Sequence, residues 1–193
     1  VNLEQLALGA SAGGIMWGPF IPGGEPQIEY FPLGGGGLWI VNGNQISDIS
    51  ALSGLTNLKF LDLYGNQISD ISAISGMDSL EYLELGYNQI SNISALSDLT
   101  SLGALGLGLN QVSDISALSG LTNLQVLYLS ENQVSHIPVL PASLRELYAD
   151  DNLIVDVSGL DGLTSLQDLY LRQNQISDIS ALSGLTNLQV LYL

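Results

Sequence analysis

The sequence predicts an α/β repeat solenoid: a curved stack of short turns with a parallel sheet along its concave side and 3₁₀ or short helical turns along its convex side. Three observations predict it. Asparagine recurs at Asn44, Asn66, Asn88, Asn110, Asn132, Asn152 and Asn174, always 22 residues apart except for one step of 20. From Asn66 onward each Asn closes a phrase with apolar residues at its first, fourth and sixth places, as in "LKFLDLYGN" at 58–66 and "LEYLELGYN" at 80–88. After each Asn, apolar residues recur every third position, as at Ile46, Ile49, Leu52 and Leu55.

Residues 1–43 keep this register poorly and form an atypical first repeat. "LEQLALGAS" at 3–11 fits the phrase with Ser11 in the Asn place, and the next Asn in phase is Asn44. Between them lies a Gly- and Pro-rich insertion at 12–37 that carries Trp17, Phe20, Tyr30 and Phe31, with Trp39 just after it. So much aromatic surface is unfavourable in water, so the insertion is expected to fold over adjacent turns, with a protruding partner-binding loop as the alternative. "GLWIVNGN" at 37–44 reads as a strand with Trp39 and Val41 in the leucine places. The glycines at 34–37 are no phosphate loop, since no Lys–Ser/Thr follows.

Residues 44–193 are the regular array. In each phrase the apolar–x–apolar core alternates with period two, which predicts a short strand with one face buried. Such strands cannot bury a core alone and must stack in a parallel sheet. The Asn sits where the chain turns inward, and its amide is expected to bond backbone groups of adjacent turns. The apolar spacing of three in "QISDISALSGL" predicts a 3₁₀ turn. Ser50, Ser72, Ser94, Ser116 and Ser180 stand where an N-cap is wanted, and Gly54, Gly76, Gly120, Gly162 and Gly184 where the turn ends. The short repeat, "HIPVLPASLRELYADDNLI" at 136–154, carries Pro138 and Pro141, which predicts an extended connection there instead. The last copy, "LQVLYL" at 188–193, stops on Leu193 without Asn, so the array is expected to be truncated, fraying or associating end to end at that edge.

These phrases resemble the 22-residue leucine-rich repeats of bacterial internalins, and of the related regulatory-subunit type of phosphatase scaffold. "NQISDISALSGLTNLQVLYL" at 174–193 is close to the internalin unit, with Ala51 and its equivalents where that unit often carries Pro. The proline-containing repeat resembles those of bacterial secreted effectors. The resemblance implies a non-catalytic recognition module for a protein or glycan, extracellular or on the bacterial cell surface. The alternative it implies is an intracellular scaffold or regulatory subunit of the phosphatase-regulator type.

Charge narrows the partner. Nineteen acidic residues face three basic ones, Lys59, Arg145 and Arg172, for a net charge of −16. That field repels nucleic acid and anionic membranes, and acidity alone also serves to keep a repetitive apolar chain soluble. No apolar run is long enough to span a membrane, no signal peptide is visible, and without cysteine there are no disulfides or thiolate metal sites.

Catalysis finds little support. His136, the one histidine, occupies a column otherwise held by Asp48, Asp70, Asn92, Asp114, Asp156 and Asp178. That column is expected to bond its own turns; a calcium ladder is the alternative, but one carboxylate per turn is sparse for six to eight oxygens. No catalytic residue, metal or cofactor is expected.

The candidate partner-binding surface is the concave face. The slot between the second and third leucines reads Asp62, Glu84, Gly106, Tyr128, Tyr148, Tyr170, Tyr192, and nearby slots add Phe60, Tyr64, Tyr82, Tyr87, Asp150 and Arg172. Tyrosine offers apolar area with a polar tip, which suits recognition, although it also suits strands and stacks on itself. "LGALGLGLN" at 102–110 places Gly103, Gly106 and Gly108 mid-face, where a shallow dip is expected.

Overall fold

A computed structural model describes residues 44–193 in full and Gln5–Ala7 as strand. The expectations for the 12–37 insertion and the strand at 37–44 lie outside the described residues.

Eight three-residue strands pair in parallel, each with its neighbours in sequence order: β1 (Gln5–Ala7), β2 (Phe60–Asp62), β3 (Tyr82–Glu84), β4 (Ala104–Gly106), β5 (Val126–Tyr128), β6 (Glu146–Tyr148), β7 (Asp168–Tyr170) and β8 (Val190–Tyr192). The sheet is the one the phrases predict. Its first described strand, β1, pairs with β2, Leu6 opposite Leu61. The rung beside β2 therefore belongs to the first repeat.

Alternation fixes which side is core. Leu61, Leu83, Leu105, Leu127, Leu147 and Leu169, the middle residues of β2 to β7, are fully buried. They meet the residues that follow each Asn, Ile68, Ile90, Val112, Val134 and Ile154, in one continuous cluster. On the far side run the turns Ser50–Leu52, Ser72–Ile74, Ser94–Leu96, Ser116–Gly120, Ser158–Leu160 and Ser180–Gly184, all 3₁₀. Their spacing of three is what a 3₁₀ turn needs to keep one face inward. The proline repeat has no 3₁₀ turn; His136 instead bridges Asp156 in parallel.

The Asn column works as the sequence suggests. Asn88 donates from Nδ2 to the carbonyls of Leu63 in the preceding rung and of Leu85 and Gly86 in its own, while its Oδ1 accepts from Ile68 N–H at 3.0 Å. Asn110, Asn132, Asn152 and Asn174 repeat the pattern. Each amide thus satisfies four backbone contacts that water does not reach well.

The serines are not the caps. Each 3₁₀ turn lacks a side-chain bond from its own N-cap residue, an Ile or Val. The cap comes from the aspartate just before: Asp48 accepts from Ser50 N–H at 2.8 Å, and Asp70, Asp114, Asp156 and Asp178 do the same for their serines, with Asn92 in that role once. A carboxylate two residues upstream reaches the serine's own exposed N–H, which opens the turn. These bonds hold all five aspartates below the usual carboxylate range. The column is a row of caps, as expected of groups that bond their own turns.

Candidate functional site

An all-parallel sheet is normally covered on both faces. Here the described strands contact only neighbouring strands, and the 3₁₀ turns only neighbouring turns, so none of these elements lies over the sheet's outer face. That face is the one expected to be concave, and its side chains fall into rows set by the register.

The third residues of the strands form the central row: Asp62, Glu84, Gly106, Tyr128, Tyr148, Tyr170, Tyr192. Its second half is a stack of rings, with centroids 4.6 Å apart from Tyr128 to Tyr148, 4.6 Å from Tyr148 to Tyr170, and 4.9 Å from Tyr170 to Tyr192. These spacings match the separation of neighbouring strands, so the backbone itself sets the stack. The Arg172 guanidinium lies over the Tyr192 ring, Cζ 3.8 Å from its centroid.

On one side of the tyrosines run the first strand residues, Phe60, Tyr82, Ala104, Val126, Glu146, Asp168 and Val190. Phe60 and Tyr82 meet at 6.3 Å. Glu146 and Asp168 stand directly opposite each other. The Tyr148 hydroxyl donates to Glu146 Oε2 at 3.1 Å. Burial, then the neighbouring Asp168, pushes the Glu146 carboxyl above its ordinary range, against the pull of that bond; burial raises Asp168 as well. On the other side lie Tyr64, Asp150 and Arg172. Asp150 Oδ1 accepts from Arg172 N–H at 2.6 Å, and burial still leaves its carboxyl raised.

The glycine rung does not leave the open dip expected of it. Glu84, expected on the exposed face, is buried at 4 % exposure. Its carboxylate leans over Gly106, where a Cβ would overlap it, and accepts from Gly86 N–H at 2.7 Å. Only a residue without a side chain at position 106 leaves room for this. Desolvation, with Asp62 beside it, pushes the Glu84 carboxyl from its ordinary 4.5 up to about 7. Tyr64 covers Gly86 and packs on Tyr87 at 6.2 Å, and burial together with Glu84 raises the Tyr64 and Tyr82 hydroxyls.

A further row went unseen in the sequence. The residue before each Asn takes a left-handed backbone: Gly65, Tyr87, Leu109, Glu131, Asp151 and Gln173, with φ from 52° to 67°. Non-glycine residues carry strain there, and the Tyr87 ring, which packs on Tyr64, leaves the chain from this conformation. Glycine at position 65 alone, set beside bulky residues in the same slot, was the available signal. Among the described residues no cluster of three or more His, Cys, Asp or Glu could hold a metal ion.

A leucine-rich-repeat family model matches residues 38–76, 142–184 and 164–193. Internalin C2 of Listeria monocytogenes shares 43 % identity with the chain at a TM-score of 0.74, over 77 % of this chain and 67 % of that one. This chain belongs to the internalin-like leucine-rich-repeat family. A second internalin of Listeria monocytogenes, inlF, aligns at 40 % identity and TM-score 0.73 over 76 % of this chain and 44 % of that chain, so this chain spans less than half of it. A plant peptide hormone receptor, RGFR1, in complex with RGF2, aligns at 29 % identity and TM-score 0.67 over 75 % of this chain and 25 % of that chain. Among curated protein sequences none matches. Leucine-rich repeats of the internalin kind are typically non-enzymatic modules for protein–protein interaction.

Proposed function

We propose that the chain is the recognition module of a bacterial surface or secreted protein, and that it binds a protein partner across the outer face of its sheet. The observation that carries this reading is the stacked row Tyr128–Tyr148–Tyr170–Tyr192 on a parallel sheet face that no described element covers. Rings held by the backbone lose little entropy on contact, so they make economical anchors. Surface or secreted placement is supported by the similarity to Listeria internalins, and protein binding by the complexed plant receptor. No step of catalysis is proposed.

The test replaces Tyr128, Tyr148 and Tyr170 together by Ser, after circular dichroism shows the fold intact. Capture from a panel of host-cell surface proteins should be lost, because hot-spot anchors each contribute about 2 kcal/mol or more. Capture at unchanged affinity would remove this face from consideration.

A further inference from the structure

We infer that the partner is a cationic protein segment, whose lysine or arginine side chains seat on the accessible carboxylates beside and along the tyrosine row, and not a glycan. This rests on the recognition reading above and adds the partner's chemistry.

The first observation is what the tyrosines leave available. Tyr148 and Tyr170 each have a neighbouring ring on both sides, at 4.6 to 4.9 Å. Sugars seat on open aromatic faces; within this stack the faces are occupied and a ligand meets ring edges and hydroxyls.

The second is charge placed against itself. Asp62 stands directly opposite Glu84, and Glu146 directly opposite Asp168. Like charges in register destabilise a sheet, and a rule broken locally marks a place where something else is gained. Among the described residues none of these four carboxylates has a basic side chain within ion-pair distance; the one salt bridge joins Lys59 to Glu81. Burial compounds the strain at Glu146 and Asp168, whose protons are held more tightly than usual. A cation delivered by a partner relieves this, and the net charge of −16 steers one in.

The third is an example within the chain. Arg172 already lays its guanidinium on Tyr192, so the row accepts a cation of this kind. The two like-charged pairs are centred about four rungs apart, ~19 Å along the stack, with the glycine rung between them. An extended segment covers that distance in about six residues. Basic residues at that spacing would reach Glu146 and Asp168 at one end and the half-buried Asp62 at the other, while Glu84 stays buried.

The experiment uses the 193-residue chain and three probes: a short Ser/Thr peptide with two Arg pairs centred about six residues apart, its counterpart with Glu for Arg, and a neutral glucose hexamer. Affinities are measured at about 50 mM and about 300 mM salt. The basic peptide should bind at least about tenfold tighter than either control and weaken as salt rises. Glu146→Gln with Asp168→Asn should weaken it at least about fivefold. Asp70→Asn with Asp178→Asn removes the same charge from the far side, retains the caps as Asn92 does, and should change affinity less than about twofold. No binding, equal binding of the acidic peptide, preference for the hexamer, or an equal effect of the far-side pair each overturns the inference. Partner capture lost with the tyrosine variant but kept with Glu146→Gln and Asp168→Asn overturns the charge inference and leaves the recognition reading standing.

Discussion

Glu84 shows what one residue does when its neighbour has no side chain. It belongs to the same strand position as Tyr128 and Tyr148, yet it is buried, because Gly106 on the next strand leaves space for its carboxylate. Folding raises its pKa from 4.5 to about 7, so the folded chain holds this proton more readily than the unfolded one. Its contribution therefore favours folding below about pH 4.5, is lost as pH rises from there to about 7, and stays flat above. Glu84→Gln keeps an acceptor for Gly86 N–H without the charge. It should raise stability at pH 8 by roughly 1–3 kcal/mol and have little effect at pH 4, as urea unfolding at both pH values would show. An equal effect at the two pH values would mean that the carboxylate is solvated. Asn88 makes the contrasting case. Its role was legible because an amide that both donates and accepts is what a turn between two rungs requires.

At the scale of the element, the turns follow from a few residues each. Aspartate, not serine, starts the 3₁₀ turns, and the repeat spacing shows both at fixed places without saying which one bonds. Reach decides that, and reach depends on backbone angles. The proline repeat shows the reverse, a packing constraint visible in the letters. Where most repeats read "SAL", the turn after Pro138 reads "SGL", with Gly159 in the alanine slot. A Cβ at Gly159 would overlap the carbonyl oxygens of Ile137 and Pro138, which are backbone and cannot swing aside. Gly159→Ala should thus destabilise the chain by about 1–3 kcal/mol. Gly54 has nothing within 4 Å and a negative φ, so Gly54→Ala should be neutral or stabilising by about 0.4–1 kcal/mol. Thermal melts of the two variants separate them, and equal losses would mean that steric room at Gly159 is not the constraint.

Across the whole molecule, stability is a sum over rungs and their interfaces. β3 to β6 have a strand on each side and leucines sealed from water, while β8 pairs only with β7 and leaves Leu191 and Leu193 exposed. In this chain, backbone amides at 188–193 should exchange with deuterium faster than those at 80–147. Uniform protection across both segments would argue for a single all-or-none unit. The same one-dimensional order makes the outer face a set of straight rows, which is why a partner can be read in terms of spacing along the stack.

The sequence alone determined the repeat, the strands, the 3₁₀ turns, the inward asparagines and the placing of Tyr128, Tyr148, Tyr170 and Tyr192 in one row, because each follows from a local period and a period survives stacking. Only the tertiary structure decided that β1 lies against β2, that Glu84 turns inward over Gly106, that Asp62 and Glu84 and Glu146 and Asp168 oppose each other without a cation, and that the tyrosine faces are spent on one another. Those outcomes depend on which rung neighbours which and on the space each leaves. Space between rungs is a property of two side chains at once, and no single repeat contains it.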